Sequence, residues 1–125
     1  PMQVYHATNG GNSLQVEKAK AFKVVQIIQY ILNSVLIKTF IKKATGNVSA
    51  VSFDLGEALP EKTSPFDTFI QVIDGKAEII IESISHILYT GGSIIIPAHS
   101  RNTIKANEKF KMLSTIVKSG YEEAG

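Results

Sequence analysis

Short apolar runs separated by turn residues dominate the chain from Val35 onward. The runs are rich in Val, Ile, Thr and Phe, which favour β-strands, and Gly, Pro, Asp and Asn stand between them. The predicted strands are Val35–Lys43, Val48–Phe53, Thr68–Ile73, Lys76–Glu82, His86–Tyr89, Ser93–Ile96, Asn102–Lys105 and Phe110–Lys118. Many short strands at regular spacing are typical of an all-β sandwich or barrel.

Turn residues predict how these strands connect. Gly46 between Thr45 and Asn47 predicts a hairpin that joins the first two strands. Asp74-Gly75 predicts a two-residue type I′ turn that pairs the strands on either side of it. Gly, Pro and charged residues predict a loop over residues 54–65.

The N-terminal part has a weaker pattern. Apolar residues at Val24, Ile27, Ile28 and Ile31 have helical spacing, although their β-branched side chains favour a strand. We predict a short helix around residues 22–28.

The length of 125 residues indicates one domain with a sizeable core. We predict a tail or loop over residues 1–20, a single barrel domain over 21–118 and a second tail over 119–125. Met2, Val4 and Tyr5 could add a short strand to this domain.

Several predicted strands are apolar on both faces, as in VLIKTFI, TFIQVI and SIII. An antiparallel sheet with two apolar faces needs cover on both sides, and a second copy of the chain would supply it. We therefore expect a homodimer.

On the strand that starts at Thr68, alternation places Ile70 and Val72 on the same face as Thr68, and Phe69 and Gln71 on the opposite face.

Composition narrows the class of protein. The chain has no Cys, which excludes disulfide scaffolds, Cys-ligated zinc and thiol catalysis. Its net charge of +2 comes from 13 basic and 11 acidic residues that form no basic run, so nucleic-acid binding is not expected. No apolar run approaches the ~20 residues of a membrane span, and no signal peptide is recognisable. We expect a cytoplasmic protein without membrane contact.

Two Gly-framed blocks resemble the conserved motifs of the cupin superfamily. The block from Gly56 to Gly75 is similar to the first cupin motif, and Gly91 with Pro97 is similar to the second. The segment IIIPAHSRNTIKANEKFKML resembles the end of small single-domain bacterial cupins. This resemblance, over about residues 27–118, implies the cupin double-stranded β-helix, a jelly-roll barrel, here with a short N-terminal helical segment.

The resemblance also shows a departure from the family pattern. Cupins hold a divalent metal through two His, one Glu and a later His, and these positions carry Lys62, Ser64, Thr68 and Asn102 here. A protonated Lys repels a cation, whereas transition metals bind imidazole, thiolate or carboxylate. We therefore expect no metal and no other cofactor.

The same four residues are the candidate ligand-binding site. Lys62 could anchor an anion inside the barrel or turn into solvent, and Asn102 could contact a ligand or satisfy neighbouring backbone. Ser64 and Thr68 are expected to be polar residues of the cavity wall. His99, Arg101 and Gln71 are possible accessory residues.

Three functions fit this pattern. The first is a metal-free module that binds a small ligand, plausibly a carboxylate or another anion. The second is a cupin-type isomerase, epimerase or dioxygenase, for which His99 and Lys62 are the nearest acid–base candidates. The third is an assembly domain whose cavity is filled by its own side chains. Enzymatic activity is left open, and no catalytic residue is assigned.

Overall fold

The computed structural model describes residues 3–6 and 16–120 of the chain. Within these residues the chain forms one helical turn and nine strands. They are β1 Gln3–His6, α1 Val24–Ile27, β2 Ser34–Lys43, β3 Gly46–Phe53, β4 Ala58–Thr63, β5 Asp67–Ile81, β6 Ile84–Tyr89, β7 Ser93–Ile96, β8 Arg101–Lys105 and β9 Phe110–Val117. In this part of the chain, no helix has the length and apolarity that crossing a membrane requires.

The strands form two sheets that share the long strand β5. The first sheet has the order β1-β2-β3-β9-β5, with β7 on the other side of β5. The second contains β6, β5, β8 and β4. Residues 67–75 of β5 pair with β9, and residues 76–81 pair with β6. The two inner faces enclose the core, as expected for an all-β jelly-roll barrel.

The predicted turn at Asp74-Gly75 is wrong. The chain continues through both residues as one 15-residue strand. A bulge between Val72 and Asp74 and a φ of +93° at Gly75 bend the strand from one sheet into the other. Gly75 does supply a left-handed backbone, but this conformation serves a bend within a strand.

The hairpin turn lies eight residues later along the chain, at Glu82-Ser83. These two residues have φ values of +48° and +69°, the successive positive values that a type I′ turn requires. Arg101 fixes the turn, since its backbone N–H donates to a Glu82 carboxylate oxygen at 2.6 Å and its carbonyl accepts from the Glu82 N–H at 2.9 Å. A turn sequence without Gly or Asn gave no local indication of this hairpin.

Residues 54–65 are not a continuous loop, because Ala58–Thr63 forms β4 at the edge of the second sheet. Leu59 pairs with Ile104, and Lys62 pairs with Asn102. The register shift between these pairs contains Pro60, which lacks an N–H and is tolerated in strands only at edges and bulges. The other predicted strands, including the β2–β3 hairpin, are present with small differences at their ends.

Apolar side chains from both sheets fill one end of the barrel. Phe53 and Phe110 stack with ring centroids 4.5 Å apart, and both are fully buried. Ile70, Val72 and Ile79 are buried around them, so the predicted inward face of the Thr68 strand is confirmed for Ile70 and Val72. Burial of each such side chain contributes roughly 2 kcal/mol to stability.

The N-terminal segment packs on the outer face of the first sheet. The predicted helix is confirmed as the single turn Val24–Ile27, and Ile28 after it is buried against Leu36 and Ala50. The Tyr30 hydroxyl donates to Asp74 at 2.6 Å. Burial is the main cause that raises the pKa of Tyr30 above its usual range, and this hydrogen bond adds to the shift.

Strand β1 lies inside the region predicted as a tail and pairs in parallel with β2. The domain limits themselves stay a prediction.

The bend of β5 generates a stability prediction. A Cβ at residue 75 would lie 2.5 Å from the Lys109 carbonyl oxygen and 3.0 Å from the Phe110 Cβ, whereas Gly56 has a similar φ of +86° and open space around it. We expect Gly56→Ala to cost roughly 1–2 kcal/mol through backbone strain alone. Gly75→Ala should cost at least about 2 kcal/mol more, because the overlap adds to the strain. Urea unfolding of both variants measures this difference, and equal costs would contradict it.

Candidate functional site

A cavity of about 240 Å³ lies inside the barrel, beyond the apolar end filled by Phe53 and Phe110. Its apolar lining consists of Ile37, Val51, Leu59, Phe66, Ile70, Ile96, Ile104, Met112 and Ile116. Its polar lining consists of Thr39, Asn47, Ser49, Lys62, Ser64, Thr68, Asn102 and Ser114. None of these residues is a carboxylate, so Lys62 carries the one formal charge in the lining.

Strand pairing brings Lys62 and Asn102 together. The two residues are directly opposite each other on β4 and β8, so their side chains lie on the same face. The bulge at Pro60 shifts the alternation of β4, which allows both Leu59 and Lys62 to line the cavity. Lys62 is exposed, and its ammonium makes no ion pair or hydrogen bond with any described residue. It stands at the rim of the cavity.

Asn102 is buried, with an exposed fraction of 3%. Its Nδ2 donates to the carbonyl oxygens of Lys62 and Ser100, both at 3.3 Å. These two bonds use both amide hydrogens and therefore fix the orientation of the amide group. Its Oδ1 is buried and has no hydrogen-bond partner among the described residues. A buried acceptor without a partner costs about 1–3 kcal/mol.

Ser64 and Thr68 also line the cavity. The Ser64 hydroxyl accepts from the Phe66 N–H at 3.2 Å, which closes a local turn, and its carbonyl accepts from the His99 N–H at 2.6 Å. Thr68 lies on β5 between Ile96 and Ile116 of the neighbouring strands. All four primary candidates thus surround one cavity. That they bind a ligand stays a prediction.

The three accessory candidates do not line the cavity. His99 is an exposed loop residue with a φ of +68°. The Arg101 guanidinium is paired with Glu82 at 3.5 Å on the surface. Gln71 lies on the outer face of β5, next to Phe69, as the alternation predicted. The acid–base pair of His99 and Lys62 is therefore not assembled in the cavity.

The sequence analysis missed the polar residues on the opposite wall. Thr39, Ser49 and Ser114 are in register on the neighbouring strands β2, β3 and β9. Asn47 lies two residues before Ser49 on the same inward face. A sequence signal was present, because these residues interrupt the inward apolar positions that include Val51 and Met112. Its meaning depends on the register, which the sequence did not give.

The described lining of the cavity contains no cluster of typical transition-metal ligands. Within the described residues, no group of three His, Asp or Glu side chains lies close enough together to hold a metal ion. The lining offers one ammonium, hydroxyls and two amides, and this set of donor atoms does not fit the imidazole and carboxylate preference of such metals.

Solved structures with a similar fold were found. A conserved protein of unknown function from Streptococcus pyogenes is 26% identical, with a TM-score of 0.80 over 90% of this chain and 99% of that one. A cupin superfamily protein from Desulfitobacterium hafniense is 24% identical, with a TM-score of 0.77 over 82% of this chain and 94% of that one. A cupin 2 conserved barrel domain protein from Leptotrichia buccalis is 26% identical, with a TM-score of 0.75 over 78% of this chain and 47% of that one. No family model and no curated protein matches the sequence.

The chain therefore has the cupin fold, and the resemblance carried by the two Gly-framed blocks is confirmed. The fold brings together Lys62, Ser64, Thr68 and Asn102, the positions at which that resemblance places the metal ligands. The loss of the metal site itself stays a prediction.

We expect the purified protein to carry no stoichiometric transition metal, because the lining offers an ammonium in place of imidazole or carboxylate ligands. Elemental analysis after purification without chelators measures the metal content. About one equivalent of Zn, Fe, Ni or Mn per chain would contradict the expectation.

Proposed function

We propose that this cupin-fold chain is a metal-free module that binds a small anion, with Lys62 as its anchor. One observation carries the proposal. A Lys62 ammonium without a described partner stands at the rim of a cavity whose lining contains no carboxylate. An anion that enters the cavity meets one positive charge and no negative one.

Magnitudes limit what Lys62 contributes. It is exposed, and an exposed ion pair is worth roughly 0.2–1 kcal/mol. Most of the affinity must therefore come from the buried walls, where apolar side chains predominate. Lys62 then selects the charge of the ligand, whereas the cavity sets its size and shape.

Removal of the Lys62 charge tests the proposal. We expect small carboxylates or phosphates to raise the melting temperature of the wild-type protein, since ligands that bind the folded state stabilise it. Lys62→Ala should weaken anion binding by up to roughly fivefold, as expected for the loss of one exposed charge pair. Titration followed by thermal melting and calorimetry measures both effects.

Lys105→Ala is the matched control, since Lys105 is exposed on β8, lies on the outer face next to the inward Ile104, and does not line the cavity. This control should leave anion binding unchanged. If anions stabilise the wild type and Lys62→Ala equally, Lys62 is not the anchor.

The enzymatic alternative has less support. An isomerase or epimerase needs an acid and a base at the substrate, and Lys62 is the one titratable residue in the described lining. A dioxygenase needs a metal or another redox centre, for which the described residues offer no ligand cluster.

We also propose a cytoplasmic location, which fits a module that binds a small ligand.

We also propose that the chain is a homodimer. On the outer face of the first sheet, a row of uncharged side chains crosses five neighbouring strands: Ile41, Val48, Thr115, Phe69 and Ile95. Ile41 and Ile95 are 48% and 62% exposed. A second copy of the chain presents the same row of side chains. The two faces can therefore cover each other in a two-fold contact.

We expect light scattering at micromolar concentration to give about twice the 13.6 kDa mass of one chain. Ile95→Lys should shift the protein to a monomer, because it places a charge within the contact. Ile84→Lys is the matched control, since Ile84 is equally exposed at 62% but lies on the β5–β6 hairpin. A wild-type monomer would overturn the dimer, and dissociation by Ile84→Lys alone would overturn this choice of face.

A further inference from the structure

The cavity has polar groups on two opposing walls. One wall holds the Asn102 Oδ1, which is buried without a partner. The other holds Thr39, Ser49 and Ser114 in register on β2, β3 and β9, with Asn47 on the same inward face. A ligand that fills the cavity contacts both walls.

The Asn102 wall requires a hydrogen-bond donor. Both hydrogens of its amide are used by the carbonyls of Lys62 and Ser100, so the group can only accept. A carboxylate oxygen cannot satisfy this acceptor, because an ionised carboxylate carries no hydrogen. A hydroxyl group can.

The opposing wall accepts and donates. The Thr39 and Ser49 hydroxyls lie 2.7 Å apart, and this contact uses the hydrogen of one of them only. The second hydrogen remains available to a ligand. The Ser114 hydroxyl and the Asn47 amide make no side-chain hydrogen bond with other described residues. Ligand hydroxyls, which both donate and accept, match this wall as well.

We infer that the cavity selects a ligand with hydroxyl groups along its carbon chain, which the Asn102 Oδ1 and the Ser114 hydroxyl recognise. The inference rests on the proposed function, which adds a carboxylate at Lys62. A fatty carboxylate of the same length would satisfy Lys62 and the apolar lining but would leave the Asn102 acceptor unpaired. Sites built to bind a hydroxyl discriminate against analogues that lack it.

Calorimetry with three six-carbon probes separates anion binding at Lys62 from hydroxyl recognition by Asn102 and Ser114. Gluconate has a carboxylate and hydroxyls, hexanoate has the carboxylate alone, and sorbitol has hydroxyls without a charge. We expect the wild type to bind gluconate roughly tenfold or more tightly than hexanoate, which is the range of one hydrogen bond to a buried acceptor. Gluconate should also bind more tightly than sorbitol.

Two substitutions test the recognising groups. Ser114→Ala should reduce the preference for gluconate over hexanoate by roughly threefold or more, since one neutral hydrogen bond is lost. Ser93→Ala, which removes an exposed hydroxyl on β7 outside the cavity, should leave that preference unchanged. Asn102→Leu should abolish the preference. Should this variant fail to fold, the Ser114→Ala and Ser93→Ala pair still decides the question.

The outcomes distinguish the two proposals. If hexanoate binds as tightly as gluconate and both depend on Lys62, the hydroxyl inference is overturned and the anion site stands. If sorbitol binds as tightly as gluconate and hexanoate binds weakly, the anion site is overturned and hydroxyl recognition stands. If none of the three probes binds, both are overturned.

Discussion

The left-handed backbone at Gly75 determines how the two sheets meet, because β5 belongs to both of them. The bend breaks the regular ladder, and its backbone groups need other partners. Val72 exchanges hydrogen bonds with Gly91 and Gly92 at 2.7 and 2.9 Å, and the Gly75 N–H donates to the Thr90 hydroxyl at 3.0 Å. The turn between β6 and β7 thus closes around the bend and satisfies it.

The same bend orders the outer surface of the barrel. The Asp74 side chain accepts the Tyr30 hydroxyl, and Lys111 on β9 donates to the Val25 carbonyl at 2.8 Å. These bonds hold the N-terminal segment against the first sheet, where Ile28 buries its side chain. Local helix propensity does not explain the segment, since only one turn is helical and its residues are mostly β-branched.

Polar residues inside a small barrel weaken the core unless they serve a ligand or satisfy backbone. Asn102 satisfies backbone carbonyls through its two N–H bonds, whereas its Oδ1 has no partner among the described residues. The cavity divides into an apolar end near Met112 and a polar end near Lys62 and Asn102. Under the proposed function, this division favours a ligand whose polar groups lie toward the rim. A cavity filled by its own side chains, which the third hypothesis requires, does not agree with the open volume.

The sequence by itself determined most of the strands and the inward face of the Thr68 strand, because alternation and turn residues are local properties of the chain. It also carried the spacing that places Lys62 and Asn102 at related positions, which is why the cupin fold was predictable. Tertiary structure decided whether Asp74-Gly75 turns or bends, because both conformations use a positive φ at Gly75 and the choice between them depends on long-range strand partners. It alone revealed β4, since a strand with a Pro at a bulge depends on its pairing with β8. It also decided the polar wall of Thr39, Ser49 and Ser114, because residues far apart in sequence become one surface only when the register of three strands is fixed.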